Sequence, residues 1–314
     1  MFKYILIENI YNLKEKVKKL IFIIFCTLLF ANSIFAERRI VEFWNLMGEK
    51  KYDEVEIFLG NWEQESKKDA ELYVAYFNFY LQKAIQNQMT FETELPPDCK
   101  NYMKGQNENG EEGYMCFITK YDDEMSNKAF EYIDKGISYN PKRLDMYFGK
   151  AHFYYLRKDY KNQCELLKKV FDLDKKNKSK WLWANNTSAK EAGVDFEKNM
   201  HGYIGKWLKE KSEDSINYAK ELSVEFVKYY SKNPVAYNDA AICCIYSNDL
   251  KAAKEYLKSA YELDKSDMII LANLAYISED LGETEDAKKY YKLLEQSTDE
   301  QYSSMAKRKL ESLQ

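Results

Sequence analysis

The sequence predicts an all-α chain of helical hairpins, and three observations carry that prediction. Only 11 of its 314 residues are Gly and 4 are Pro, where average usage gives roughly 22 and 16. Lys, Glu, Leu and Tyr are abundant, which favours helices joined by short connections. Small and large apolar residues also recur at fixed offsets, in sets that include a spacing of 34 residues. A chain so poor in turn residues is not a many-turned β-sandwich or barrel. With 16% aromatic residues it is not disordered either.

The N-terminus departs from the rest. Lys14, Lys16, Lys18 and Lys19 precede the apolar run 20–31, and the following stretch, 32–36, ends on the small residue Ala36 although Ile34, two before it, is not small. A basic stretch, an apolar core and a small terminal residue predict a secretory signal over 1–36, cleaved after Ala36. A retained anchor is the alternative, but twelve apolar residues reach only about 18 Å of a ~30 Å hydrocarbon core. Cys26 follows Phe25 inside the apolar run, which argues against lipid attachment. A start near Val17 would give a more compact leader. Removing 1–36 takes away five Lys and two Glu and changes the net charge from −4 to −7. The expected mature chain, 37–314, carries no basic face for nucleic acid and no second spanning run. These features predict an exported protein of the bacterial periplasm or cell envelope, with no stable membrane insertion once the signal is removed.

The repeat signal is clearest in three segments. Tyr147, Ala151, Tyr154, Gln163, Leu167 and Val170 have counterparts in Tyr237, Ala241, Cys244, Ala253, Leu257 and Ala260, then in Leu271, Ala275, Ser278, Ala287, Tyr291 and Leu294. Small residues let two helices approach, and large ones fill the space between. Asp159, Asp249 and the Gly282-Glu283-Thr284 stretch mark the turn inside each hairpin, while Pro141 and Pro234 fall where a second helix must end. Counting 34 residues towards the N-terminus from Gln163, Leu167 and Val170 reaches Ala129, Ile133 and Gly136, and Val55 sits in a similar second helix. The remaining offsets accommodate six repeats with insertions near 88–122 and 176–197. The segment from Ser303 onward reads as part of a polar capping helix.

These residues resemble the tetratricopeptide repeat (TPR), a helix-turn-helix unit. The match is strong over 143–175 and 234–301, moderate over 123–142, and weak over 37–87 and 176–233; Lys150 and Gln163, inside the first strong stretch, already depart from the small or apolar residues of the pattern. The resemblance implies a right-handed helical-hairpin solenoid. It also implies that the first (A) helices bind a protein or peptide through Phe148, His152, Tyr155, Asn238, Ile242, Tyr246, Ala272 and Tyr276. That set is aromatic and amide-rich, so the implied ligand is an apolar or aromatic segment, bound without an ion clamp. Packing of repeat on repeat is the competing role for these side chains.

The first insertion holds Pro96, Pro97, Gly105, Gly110 and Gly113, with Cys99 and Cys116. An oxidising compartment would allow a Cys99–Cys116 bridge, and the alternating stretch 114–119 could pair as a strand with 89–91. The insertion either closes over the groove or is a solvated excursion, the latter favoured. The second insertion holds Trp181 and Trp183 flanked by Asn185 and Asn186. They could stack on a saccharide or peptidoglycan fragment, which is the alternative function, or plug a widened repeat, which is favoured.

Bond-making chemistry finds no support. His152 and His201 stand 49 residues apart with no metal-ligand partner pattern, and no phosphate-binding or nucleophile motif occurs. Cys164, Cys243 and Cys244 fall at packing positions. No cofactor, metal or catalytic residue is expected.

Overall fold

The computed structural model describes residues 38–96, 99 and 101–313. The expected leader and its cleavage site lie outside these residues. The fold is all-α and TPR-like, with one small antiparallel sheet as an insertion. Six helical hairpins follow in chain order. They are α1 (38–48) with α2 (Tyr52–Glu65), α3 (Ala70–Ala84) with α4 (Asp123–Tyr139), and α5 (Leu144–Leu156) with α6 (Tyr160–Asn177). Then come α7 (Phe196–Glu210) with α8 (Glu213–Tyr229), α9 (Pro234–Tyr246) with α10 (Leu250–Leu263), and α11 (Met268–Asp280) with α12 (Thr284–Glu295). A last helix, α13 (Glu300–Ser312), starts three residues before the expected cap. Pro234 does not directly follow the preceding helix. It opens α9, where its missing N–H is no loss.

The hairpin turns share one device. Lys50, Lys158, Lys211, Asn248 and Gly282 all have positive φ, between 56° and 74°, just before a second helix. The next residue is the N-cap. The side chains of Asp159, Ser212 and Asp249 each accept a backbone N–H of the new helix. A left-handed residue costs about 1 kcal/mol wherever it carries a Cβ. Lys158→Gly is therefore expected to raise stability by about 1 kcal/mol and Gly282→Ala to lower it similarly, both read as shifts in urea midpoint.

The chain divides into two compact units, 38–146 with 183–187, and 147–182 with 188–313. In the first unit the turn of the second hairpin is replaced by the sheet. Strands β1 (Ile85–Glu92), β2 (Tyr102–Gln106) and β3 (Glu112–Tyr121) pair in the order β1-β3-β2. The Asp122 N–H bonds the Ala84 carbonyl at 2.8 Å, so the chain re-enters the hairpin where it left. Met89, Thr90 and Phe91 face Phe117, Cys116 and Met115, in the register that alternation suggested. Cys99 and Cys116 form a disulfide, both buried. Gly113 is needed here, because a Cβ would lie 2.5 Å from the Phe91 ring. Helices α3 and α4 approach so closely that a Cβ on Gly136 would lie 2.5 Å from that of Tyr73. The Tyr76 and Tyr132 rings stack at 4.0 Å between them.

Also in the first unit, Arg143 is 1% exposed. Its guanidinium bonds Asp145 through two nitrogens at 2.9 and 2.7 Å and Glu71 at 2.8 Å. Glu71 in turn accepts the Asn185 N–H at 2.7 Å, and Asn186 Oδ1 lies 3.4 Å from Arg143. Asn185 and Asn186 are both left-handed, a conformation that short amide side chains tolerate. The tip of the second insertion is thus held by a buried ion pair.

The second unit carries an apolar core along its hairpins. Ala241, Leu257, Leu271, Leu274, Ala275, Ala287, Tyr291 and Leu294 belong to one cluster, all at most 2% exposed. These include many of the small and large residues at the 34-residue spacing. Gln163 stands where other repeats have Ala. Its Oε1 accepts the indole N–H of fully buried Trp207 at 2.7 Å, which accounts for the departure from the pattern.

Candidate functional site

The A helices of the second unit place equivalent residues in rows. Ile242 and Tyr276 are 34 apart, and His152 lies 90 before Ile242. In α7 the buried set Phe196, Met200, Tyr203 and Ile204 matches Ala236, Ala240, Cys243 and Cys244 of α9. Gly202 is therefore the α7 member of the row His152, Gly202, Ile242, Tyr276.

The eight residues expected to line this face divide by burial. Tyr246 and Tyr276 are 46% and 39% exposed, His152 is exposed, and Tyr155 and Ile242 are half-buried. Phe148, Asn238 and Ala272 are buried and do not reach solvent. Phe148 packs against the Tyr203 ring at 5.7 Å, and its carbonyl accepts the Tyr203 hydroxyl. Asn238 accepts the Asn273 amide at 2.9 Å. Neighbouring A helices lie close enough for these positions to be consumed in packing. Val235 and Ile269, 36% and 56% exposed, extend the face and were missing from the expected set. Their 34-residue spacing was the signal available. Among the described residues of this unit, Leu156, Val235, Ile245, Tyr246, Ile269 and Tyr276 are exposed large apolar residues on A helices, against Val224, Leu263 and Leu293 on second helices.

The two expected platform residues fare differently. Trp181 is 3% exposed, lies parallel to Phe196 and edge-on to Tyr147, and donates its indole N–H to Asp174 at 2.6 Å. Ser179 and Tyr230 donate to the same carboxylate at 3.0 and 2.5 Å. This corrects the platform reading for Trp181, whose ring is covered. Trp183 is half-buried and belongs to the other unit.

The two histidines face opposite fields. His201 Nδ1 lies 2.9 Å from both carboxylate oxygens of Asp239, and this hydrogen bond raises its pKa above the ordinary value. Desolvation raises Asp239 as well. His152 is pushed down by burial and by the charge of Lys206. Raised groups hold their protons more tightly in the folded chain, so the His201–Asp239 contribution fades as pH rises through the raised His201 value. His152 contributes with the opposite sign, costing stability as pH falls below the ordinary value. An NMR titration of the imidazole Cε1 protons is expected to give two curves, one above and one below the ordinary midpoint, and His201→Asn to remove the upper one. Coincident curves would contradict this arrangement.

Among the described residues no group of three or more His, Cys, Asp or Glu is arranged to hold a metal ion. Burial pushes the Cys164 and Cys243 thiols up to about 12, which suppresses thiolate at neutral pH. Among the described residues no helix is long and apolar enough to cross a membrane.

Comparison with known proteins follows the hairpins. Residues 144–177 match the tetratricopeptide repeat family. They coincide with α5 and α6. Residues 207–312 match the coatomer epsilon subunit family. No curated protein matches the chain. Among solved structures, the chain is similar to YrrB, described as a TPR protein with an unusual peptide-binding site. Identity is 14%, with 80% of this chain and 97% of that one covered and a TM-score of 0.39. It is also similar to PilW, a widely conserved type IV pilus biogenesis factor, at 11% identity, covering 86% and 97%, with a TM-score of 0.36. The Arabidopsis OM64 TPR domain is 17% identical, with 37% and 94% covered and a TM-score of 0.33.

Proposed function

We propose that the second unit, residues 147–313, is a non-catalytic TPR-type scaffold that binds a protein or peptide partner along its A-helix face. The observation that carries this reading is the exposure of Tyr246, Tyr276, Val235 and Ile269 at equivalent positions of neighbouring A helices, where exposed large apolar residues outnumber those of the second helices. The exposed positions of α10 are by contrast mostly charged, as with Lys251, Glu255, Lys258 and Glu262, with Leu263 the apolar exception. Exposed tyrosines are among the residues that dominate binding when a partner covers them, and the branched side chains beside them add apolar area. Site-specific benzoylphenylalanine tests this in the producing cell. Adducts are expected from positions 246 and 276 and not from 255 and 259; equal adducts from both sides would overturn the reading.

The same proposal places the protein in the bacterial envelope or periplasm. The basic and apolar N-terminal segment ending at Ala36 supports export, as does the Cys99–Cys116 disulfide. Fractionation should recover a chain beginning at Glu37 outside the cytoplasm, and an unprocessed cytoplasmic chain would refute export.

A further inference from the structure

The sheet of the first unit has two edges, and they are built differently. Strand β2, at one edge, is five residues long, with Lys104 at its middle and Gly105 beside it. A short strand with a central lysine is a poor template for another strand. Strand β1, at the other edge, is eight residues long and reads Ile-Gln-Asn-Gln-Met-Thr-Phe-Glu. It has no proline and no basic residue, and its one charge, Glu92, stands at the last position. Residues 86–89 are exposed, Met89 to 61%.

The backbone of β1 is bonded at every second residue. In an antiparallel pair, opposed residues that exchange two N–H···O bonds alternate with opposed residues that exchange none. The Asp122 N–H donates to the Ala84 carbonyl, so these two form a bonded pair. The register then carries bonding to Gln86, Gln88 and Thr90, opposite Lys120, Ile118 and Cys116. Strand β3 keeps its odd residues for the other side, as the bond from the Phe117 N–H to the Asn101 carbonyl shows. On β1 the N–H and C=O groups of Asn87, Met89 and Phe91 therefore point away from the sheet. Among the described residues no backbone bond satisfies them. Donors and acceptors repeated at every second residue of an extended chain match the free edge of another strand.

We propose that the free edge of β1 pairs with the same edge of a second copy of this chain, the two strands running antiparallel about a two-fold axis. The strand is compatible with its own copy in backbone, charge and side chain. Odd residues must oppose odd ones, so Met89 faces either its counterpart or Asn87 of the second copy. Neither register sets Glu92 against its counterpart, so no like charges meet. Gln88 then faces Thr90 or itself, and Gln86 faces Glu92 or Thr90; a side-chain amide can donate to each of these. A charged strand from another protein would find no counter-charge between Ile85 and Phe91. The pairing makes one continuous sheet from two and shields Met89. It uses the first unit alone and is independent of the A-helix face.

The test uses the purified ¹⁵N-labelled protein over a range of concentrations. Sedimentation is expected to show a monomer–dimer equilibrium. The amides of Asn87, Met89 and Phe91 should exchange with deuterium at least about tenfold more slowly in the dimer, while those of Gln86, Gln88 and Thr90 are protected at every concentration. Met89→Pro should give a folded monomer throughout. The N–H it removes points outward, so the β1–β3 ladder stays whole while the ring blocks a second strand. Met89→Lys keeps the N–H and should weaken dimerisation at least about tenfold, by placing ammonium groups at or beside the axis. A monomer at all concentrations would overturn the proposal. So would a dimer in which the three odd amides stay unprotected, or one that survives both substitutions.

Discussion

Arg143→Leu is expected to destabilise the first unit by about 3–5 kcal/mol, the usual cost of stranding a buried charge. Glu71 is only 5% exposed and sits against the guanidinium at 2.8 Å. With the cation gone, its carboxylate keeps one backbone donor, the Asn185 N–H, and loses its counter-ion. Glu71→Leu alone should cost less, because Arg143 keeps both bonds to the Asp145 carboxylate. The double variant should cost less than the sum, because the stranded Glu71 carboxylate is then gone, while Asp145 loses the guanidinium in either case. Urea unfolding of the four proteins measures the coupling. Additive losses would show that the pair acts only through its shape. Proteolysis offers a second readout, since the 183–187 tip is held by this pair and should become the first cleavage point in the single variants.

Asp174→Ala is the second large effect, at roughly 3–5 kcal/mol. The carboxylate is 4% exposed and accepts from Ser179, Trp181 and Tyr230. Hydrogen bonds to a charged group are worth about 1.5–3 kcal/mol each, and the orphaned Trp181 and Tyr230 donors are largely withdrawn from water. Asp174→Asn keeps the shape and part of the acceptor capacity, so it should cost about half as much. Trp181 fluorescence gives a local signal: its emission should shift to the red in the alanine variant under native conditions. An unshifted spectrum together with an unchanged urea midpoint would mean that the rings alone hold the indole.

These two networks show where sequence reading reaches its limit. Ala241, Ala253, Ala275 and Ala287 announce close helix contacts, because a small residue recurring every 34 positions marks a crossing where a larger side chain would hold the helices apart. Asp159 and Asp249 announce helix starts because a side chain that accepts its own backbone acts within three residues. Arg143 and Asp174 send no such signal. Their partners Glu71, Asn186 and Tyr230 lie 72, 43 and 56 residues away, and nothing periodic links them. The candidate face was only half legible for a related reason. The position of Phe148 on its helix follows from periodicity, but its burial depends on Tyr203 of the next A helix. The place of Gly202 in the row went unread because residues 176–233 match the repeat weakly.

By itself the sequence determined the helical class, the hairpin count, the sites of the two insertions and the spacing of small and large core residues. All of these rest on interactions within a few turns of helix or on a regular repeat, and both are written along the chain. Only the tertiary structure decided which aromatic residues stay exposed, which carboxylates receive the buried donors, and that Trp181 is packed away. Those outcomes depend on distances between residues far apart in sequence, which burial and charge pairing select only once the helices have packed.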